Sequence, residues 1–393
     1  MTHKILIIGG GTGGLAMALF LEKAGIPCEI YEQAPEFSNV GASYAVHPNG
    51  VHVVEQLGLS EQLSEVSHSL DNYIFKNKDG DTVYDIKDQF PDSPFLDGLI
   101  YVSRYDLIDI LYQEIKRREI KINYSKKLKD LRQDDESVTA YFEDGTKATG
   151  SLLIGADGTH SKTRELIFPY EYLRYNGKWA VFGMAEEGTL GAAEQFMQQD
   201  DLISYFKDDF NFTISKHHPS RKERLSWVFI QNQERKVPKK YFDEKPADVF
   251  KDELAAKFSD FKEPIGELIR RSSTFFPTQV FSAGNLPKFS FKRVALIGDA
   301  LQTTDPYSGM GATLSLEDGL YLAMMLRDHS DYKDAFYYYE FDRKETVRGI
   351  HNEAAEMENL SDEEIDQFLK KMSGEALESS YLNPPKINWE DRQ

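Results

Sequence analysis

Apolar residues recur along this chain at two spacings, and the change between them lays out its architecture. Lys4 to Ile8 is a short continuous apolar run ending at Gly9, as expected of a strand buried on both faces of a parallel sheet. Gly13 to Ala24 carries apolar residues at helical spacing and stops at Gly25. Cys28 to Tyr31 predicts a second short strand, so the chain opens with a βαβ unit. His47 to Leu57 reads as a helix, with Pro48 near its start and Gly58 after its end. Lys78-Asp79-Gly80-Asp81, between alternating segments, predicts a hairpin turn. Tyr105 to Lys116 is an amphipathic helix opened by Ser103, Val138 to Phe142 a strand, and Leu152 to Ile154 another buried strand.

From Lys178 to Gln231 the period shortens toward two and aromatic residues abound, which predicts an antiparallel sheet. Lys245 to Phe258 and Pro264 to Arg271 return to helical spacing, and Arg293 to Ile297 is one more buried strand. After Ser315 the pattern is helical and charged to about Met372, and the last twenty residues read as a loosely held tail. The expected fold is α/β: a Rossmann-like unit (1–70, 101–172 and 282–332) interwoven with a β-rich unit (71–100 and 173–281), followed by a C-terminal helical segment and tail (333–393).

Composition narrows the partners. The 393 residues carry a formal net charge of −19, which argues against nucleic acid and against an anionic membrane surface. A single cysteine, Cys28, excludes an intrachain disulfide and a Cys-x-x-Cys redox pair. His217-His218 has no further ligand at metal spacing, so no metal site is read. No apolar run approaches bilayer-spanning length, and no leader is expected ahead of the first strand, so a cytoplasmic monomer or homodimer is expected.

The candidate chemistry begins at Gly9-Gly10-Gly11-Thr12-Gly13-Gly14, which contains Gly-x-Gly-x-x-Gly at Gly9, Gly11 and Gly14. These glycines permit a tight turn, close approach of backbone to a pyrophosphate, and close packing of helix on strand. The N–H groups opening the following helix, at Thr12 and Gly13, suit the same anion. Glu32 ends the second strand, where a carboxylate accepts hydrogen bonds from ribose hydroxyls. This loop points to a dinucleotide without distinguishing FAD from NAD. Two later stretches each place an aspartate past a buried strand: Asp157-Gly158, with Ser161 and Arg164 following, and Gly298-Asp299, followed by Asp305, Pro306, Gly309, Gly311 and Ala312. Taken singly, either aspartate also fits a helix cap.

Together, in this order and spacing, the three motifs resemble the class A FAD-dependent aromatic hydroxylases, in particular the branch of the salicylate and urate hydroxylases. The resemblance runs from about residue 3 to residue 345 and takes in Glu317 and Asp318. It implies that Arg104 reaches the ribityl and phosphate region of the flavin and that Val40 to Gly50 covers the ring. It implies FAD as cofactor, NADPH or NADH as reductant, and transfer of one atom of O₂ to an aromatic or polycyclic small molecule through a flavin hydroperoxide. Two departures stand out. Leu301 and Gln302 replace the family's usual Ala-His, and Met310 replaces the glutamine between Gly309 and Gly311.

Substrate is expected between the flavin and the β-rich unit, with Phe182, Met184, Tyr205, Phe212, Trp227 and Phe229 as candidate lining. Each also suits the sheet's own core. Arg221, Lys222 and Arg224 form a basic cluster that either draws in an anionic substrate or decorates a turn. No general base is evident. A non-oxygenating flavin reductase and a flavin-binding sensor are the competing readings, while the isolated tryptophans lack the halogenase pattern.

Overall fold

The computed structural model describes residues 4–392 apart from 38–42, 90–96, 172, 199–200, 208, 238–240, 243, 284–285, 304–305, 307–308 and 358–384. The chain builds two main sheets. The first has six strands in the order β18 (Ser290–Phe291), β19 (Val294–Leu296), β12 (Leu152–Gly155), β1 (Ile5–Ile8), β2 (Cys28–Tyr31) and β8 (Ile122–Asn123). Its central strands pair parallel, with Ile5 opposite both Cys28 and Leu152. Full burial on both faces explains why β1 and β12 are unbroken apolar runs. Helices α1 (Thr12–Lys23), α2 (Pro48–Gln56), α3 (Arg104–Arg117), α4 (Lys162–Ile167), α7 (Gly311–Asp328) and α8 (Tyr332–Met357) belong to this half, where α1 packs against both α3 and α7.

The second sheet has seven strands: β17 (Thr274–Ser282), β13 (Arg174–Glu186), β16 (Glu223–Asn232), β15 (Phe210–Lys216), β14 (Leu202–Lys207), β5 (Tyr73–Lys76) and β6 (Thr82–Asp85). The hairpin expected around Gly80 joins β5 to β6, and β5 then pairs parallel with β14. Helices α5 (Ala247–Ala256) and α6 (Ile265–Arg271) cover one face of this sheet, forming a core with Trp179, Tyr205, Phe212, Trp227 and Phe229. The other face is set with small polar groups. Thr213, Ser215 and His217 alternate with Phe212 and Ile214 along β15 and its end, so the pleat sends the two sets to opposite sides.

Two small sheets fill in the rest. β9 (Leu128–Gln133), β10 (Val138–Phe142) and β11 (Lys147–Gly150) form a meander, and β3 (Ser43–Val46), β7 (Ile100–Ser103) and β4 (Ser67–Ser69) form a sheet that touches both main units. Ala45 and Tyr101 of that small sheet pack with Leu202 of the seven-stranded one.

The tail differs from expectation at its end. Residues 385–392 are docked: Trp389 is buried and stacks on Phe20 of α1 at 5.2 Å between ring centroids. The Arg327 guanidinium lies 4.4 Å over the same indole. Arg327 also donates to the Trp389 and Asp391 carbonyls, and Gln56 Nε2 donates to the Ile387 carbonyl at 2.8 Å. One buried aromatic outweighs the polar composition around it. We expect Trp389→Ala, or removal of residues 385–393, to destabilise the fold by about 3 kcal/mol, measured by chemical denaturation. An unchanged denaturation midpoint would show that the tail merely rests on the surface.

Candidate flavin site

The turn after β1 depends on glycine for steric reasons. Gly9 has φ +108, and a Cβ there would stand 2.3 Å from the Ala156 carbonyl oxygen. A Cβ on Gly14 would lie 2.1 Å from the Gly9 carbonyl oxygen, so α1 starts almost in contact with β1. Gly11 is the opposite case, with nothing within 4 Å of where a Cβ would stand. No side chain caps α1, and the buried Thr12 hydroxyl lacks a hydrogen bond of ordinary geometry. Open space, an uncapped helix N-terminus and an orphaned hydroxyl fit a pyrophosphate. Gly13 packs against α7, its Cβ position 3.1 Å from the Ser315 carbonyl oxygen.

Glu32 holds this turn from the side. One carboxylate oxygen accepts from the Gly10 N–H at 2.7 Å and the other from the Ala34 N–H at 2.8 Å. Each oxygen keeps a lone pair for a ribose hydroxyl. A recess beside the turn is lined by Gly11, Glu32, Phe37, Arg104, Tyr112 and Tyr124, with Phe37 stacked 4.6 Å from Tyr112. Its two walls, acidic and aromatic, suit an adenosine without a 2′-phosphate.

The two aspartates past the strands are not equivalent. Asp157 accepts from the Ser161 hydroxyl at 2.5 Å and from the Thr163 N–H and hydroxyl at 2.9 and 3.0 Å, which fixes the start of α4. The helix-cap reading therefore describes what its carboxylate does in this structure. Burial pushes its carboxyl above the usual range, opposed by those same hydrogen bonds. Asp299 accepts from the Thr159 hydroxyl at 3.2 Å, and burial pushes it up likewise, with Arg104 and Arg164 pulling the other way. Arg164 joins the two motifs, donating to the Asp299 and Ala300 carbonyls at 3.2 and 3.0 Å and to the Thr159 carbonyl at 2.5 Å. Arg104 Nε donates to the Tyr44 hydroxyl at 3.0 Å. Tyr44, in β3, is a site residue not singled out by sequence, although it falls within the stretch Val40 to Gly50.

Beyond Asp299, Gln302 Nε2 donates to Asp318 at 3.1 Å while its Oε1 is buried without a partner. Met310 is buried, Gly309 faces Ala45 and His47, and Gly311 and Ala312 open α7 without a side-chain cap. Pro306 is half-buried; Asp305 and Val40 to Ala42 lie outside the described residues. The N-terminal half of α7 thus meets the first turn of α1 through Ser315 and Gly13.

The candidate pocket aromatics divide by face. Tyr205, Phe212, Trp227 and Phe229 are buried under α5 and α6 in the core of the seven-stranded sheet. Phe182 lies on the other face, stacked on Phe276 at 5.2 Å, and Met184 shares it by alternation along β13. That face also carries a hydroxyl row that sequence reasoning missed. Tyr73 and Ser204 hydroxyls are 2.9 Å apart, Ser204 and Thr213 2.6 Å, and Ser215 and Ser226 2.8 Å. Each cation of the basic cluster has a carboxylate partner: Arg221 with Asp106 and Glu223, Lys222 with Glu186, and Arg224 with Glu187.

A family model described as FAD binding domain matches residues 2–349. The chain belongs to this family. Among relatives of this flavoprotein, an FAD-dependent monooxygenase of Emericella nidulans is 29% identical over 354 residues; the match takes in 82% of the chain and 59% of that longer protein. The FAD-dependent urate hydroxylase of Klebsiella pneumoniae subsp. pneumoniae is 26% identical over 355 residues, covering 88% of the chain and 87% of the enzyme. The structure of Klebsiella pneumoniae HpxO complexed with FAD and uric acid has the same fold, with a TM-score of 0.79, 23% identity, and coverage of 96% and 94% of the two chains. The flavoprotein is an oxidoreductase of the FAD-dependent monooxygenase class.

The glycines separate folding from binding. We expect Gly11→Ala to leave the apoprotein's stability unchanged but to weaken FAD binding roughly a hundredfold, about 2.7 kcal/mol. Gly14→Ala should destabilise the apoprotein itself, by about 3 kcal/mol or more through overpacking. Flavin fluorescence titration and apoprotein denaturation measure the two effects. Equal FAD affinity in Gly11→Ala and wild type would move the pyrophosphate elsewhere.

Proposed function

We propose that the flavoprotein takes electrons from NADPH or NADH and inserts one atom of O₂ into an uncharged aromatic or polycyclic ring that bears hydrogen-bonding groups. The observation that carries this reading is the packing of two helices with uncapped N-termini, α1 and α7, in contact at Gly13 and Ser315, together with Asp299 and Arg104 close to each other. Gly11 and Thr12 would hold the pyrophosphate, Glu32 the adenosine ribose, and Arg104 with Asp299 the ribityl side. The bound flavin supplies hydride acceptance and oxygen activation, which no side chain can. The chain's own task is to orient the ring, to exclude water and to set the local electrostatics.

Two features favour a neutral, polar substrate. The face of the seven-stranded sheet toward β3 and β7 offers hydroxyls and the Phe182–Phe276 pair. Arg221, Lys222 and Arg224 each pair with a carboxylate. A substrate carboxylate buried against this face would cost several kcal/mol unless paired. The division into a flavin unit and a β-rich substrate unit at the boundaries read from the sequence belongs to the same proposal. Among the described residues no helix is long and apolar enough to cross a membrane. The charge of −19 and the single cysteine support action in the cytoplasm.

The test is consumption of NADH and NADPH in air by the FAD-loaded protein, with phenols, salicylates, purines and polycyclic antibiotics. We expect an uncharged hydroxylated ring to stimulate consumption about tenfold more than its carboxylated analogue, with a product one oxygen heavier. A protein that takes up no FAD would overturn the reading. Preference for the carboxylated ring would overturn the substrate class alone.

A further inference from the structure

The His217-His218 pair is followed closely by the basic cluster of Arg221, Lys222 and Arg224. Both lie on one hairpin, the turn between β15 and β16, and this turn reaches out of its own sheet at two points.

The first point is His217, which is almost completely buried. Its Nδ1 lies 2.8 Å from the Glu223 carbonyl oxygen, which can only accept, so Nδ1 carries the proton. Nε2 is then the acceptor, and it takes the hydroxyl proton of Ser43. Burial pushes the imidazole down to about 4, so the ring stays neutral and the direction of this bond does not change at ordinary pH. Ser43 belongs to β3, and its neighbour Tyr44 points to the opposite side of that strand, toward Arg104 and Thr12.

The second point is Arg221, whose Nη1 donates to Asp106 at 2.7 Å with both side chains largely buried. Asp106 lies in the first turn of α3, two residues beyond Arg104. The hairpin therefore grips β3 beside Tyr44 and α3 beside Arg104, the two residues whose mutual hydrogen bond borders the flavin site. Lys222 with Glu186 and Arg224 with Glu187 brace the hairpin against the end of β13. The grip is anchored in the seven-stranded sheet.

We propose that this hairpin is a two-point clamp that sets the flavin site from the second sheet, with His217 and Arg221 as positioning residues for Tyr44 and Arg104. The clamp acts through Ser43 and Asp106 and touches neither cofactor nor substrate. It rests on the flavin reading given above.

The test is a double-mutant cycle on apoprotein titrated with FAD, read by flavin fluorescence and by the absorption spectrum of the bound flavin. Ser43→Ala and His217→Asn should each weaken FAD binding about tenfold and shift the bound-flavin spectrum, and the double variant should be no weaker than either single one. Asn at 217 keeps the donor to Glu223 and loses the acceptor for Ser43. His217→Gln, whose amide oxygen can accept from Ser43, should recover most of the affinity. Asp106→Asn and Arg221→Met should form a second non-additive pair. Ser43→Ala removes one oxygen, so it keeps the test open should a His217 variant fold poorly. Affinity within twofold of wild type with an unchanged spectrum in Ser43→Ala, or additive effects across the cycle, would overturn the clamp. Wild-type protein that takes up no FAD would overturn the flavin reading and the clamp with it.

Discussion

The carboxylate of Asp318 is the point on which the flavin half of this structure turns. It is completely buried and accepts four hydrogen bonds: from the Gly298 N–H at 2.9 Å, from Gln302 at 3.1 Å, and from Arg343 Nε and Nη2 at 3.2 and 3.1 Å. Those donors come from the loop after β19 and from α8, while Asp318 itself sits in α7. Arg343 also donates to Glu317 at 3.1 Å, and Glu317 accepts from Asn49 of α2 at 2.9 Å. Burial disfavours the guanidinium charge, yet the two carboxylates outweigh it and hold Arg343 charged. A buried network of this kind costs about 3–5 kcal/mol to break by removing one partner, because the remaining charge is stranded. Its yield is registry, since α2, α7, α8 and the Asp299 turn can satisfy it only in one mutual arrangement.

Registry at that point decides the geometry of everything nearer the cofactor. With α7 held, Ser315 meets Gly13 and Gly319 meets Met17, whose backbone nitrogen would lie 3.0 Å from a Cβ at 319. Two helices so close cannot slide, and their uncapped first turns stay together. The departure at Gln302 fits this frame. Its amide nitrogen serves Asp318, while its buried oxygen stays unsatisfied, a local cost that an imidazole with a single outward nitrogen would distribute differently. Met310 is buried between two glycines whose backbone is engaged, Gly309 N–H donating to the Pro306 carbonyl at 3.1 Å and the Gly311 carbonyl accepting from Ser315 Oγ at 2.9 Å.

Much of the layout was legible because it follows from steric rules that act locally. Gly9, Gly14 and the apolar runs of β1 and β12 each answer one constraint in a short stretch of chain, and the two aspartate motifs sit where strands must end. What escaped reading depends on contacts far apart in sequence. Trp389 finds Phe20 across almost the whole chain, and nothing near residue 389 signals that partner. Asp157 looks the same in sequence whether it faces a ribityl chain or caps α4, and only Ser161 and Thr163 in three dimensions tell the two apart.

The β-rich half shows a different limit. Its aromatic residues were visible, but aromatic content does not say which face of a sheet they occupy. Alternation does: Phe212 and Ile214 go one way, Thr213, Ser215 and His217 the other. Once α5 and α6 have covered one face, the other presents a row of hydroxyls, the His217 imidazole and an apolar patch of Ala180, Phe182, Val228 and Ile230. That face combines hydrogen-bonding groups with the stacked Phe182–Phe276 pair. The same polar row ends in His217, which accepts from Ser43 of β3. The hydroxyl row and the contact to β3 thus share one face because a β-strand has only two sides.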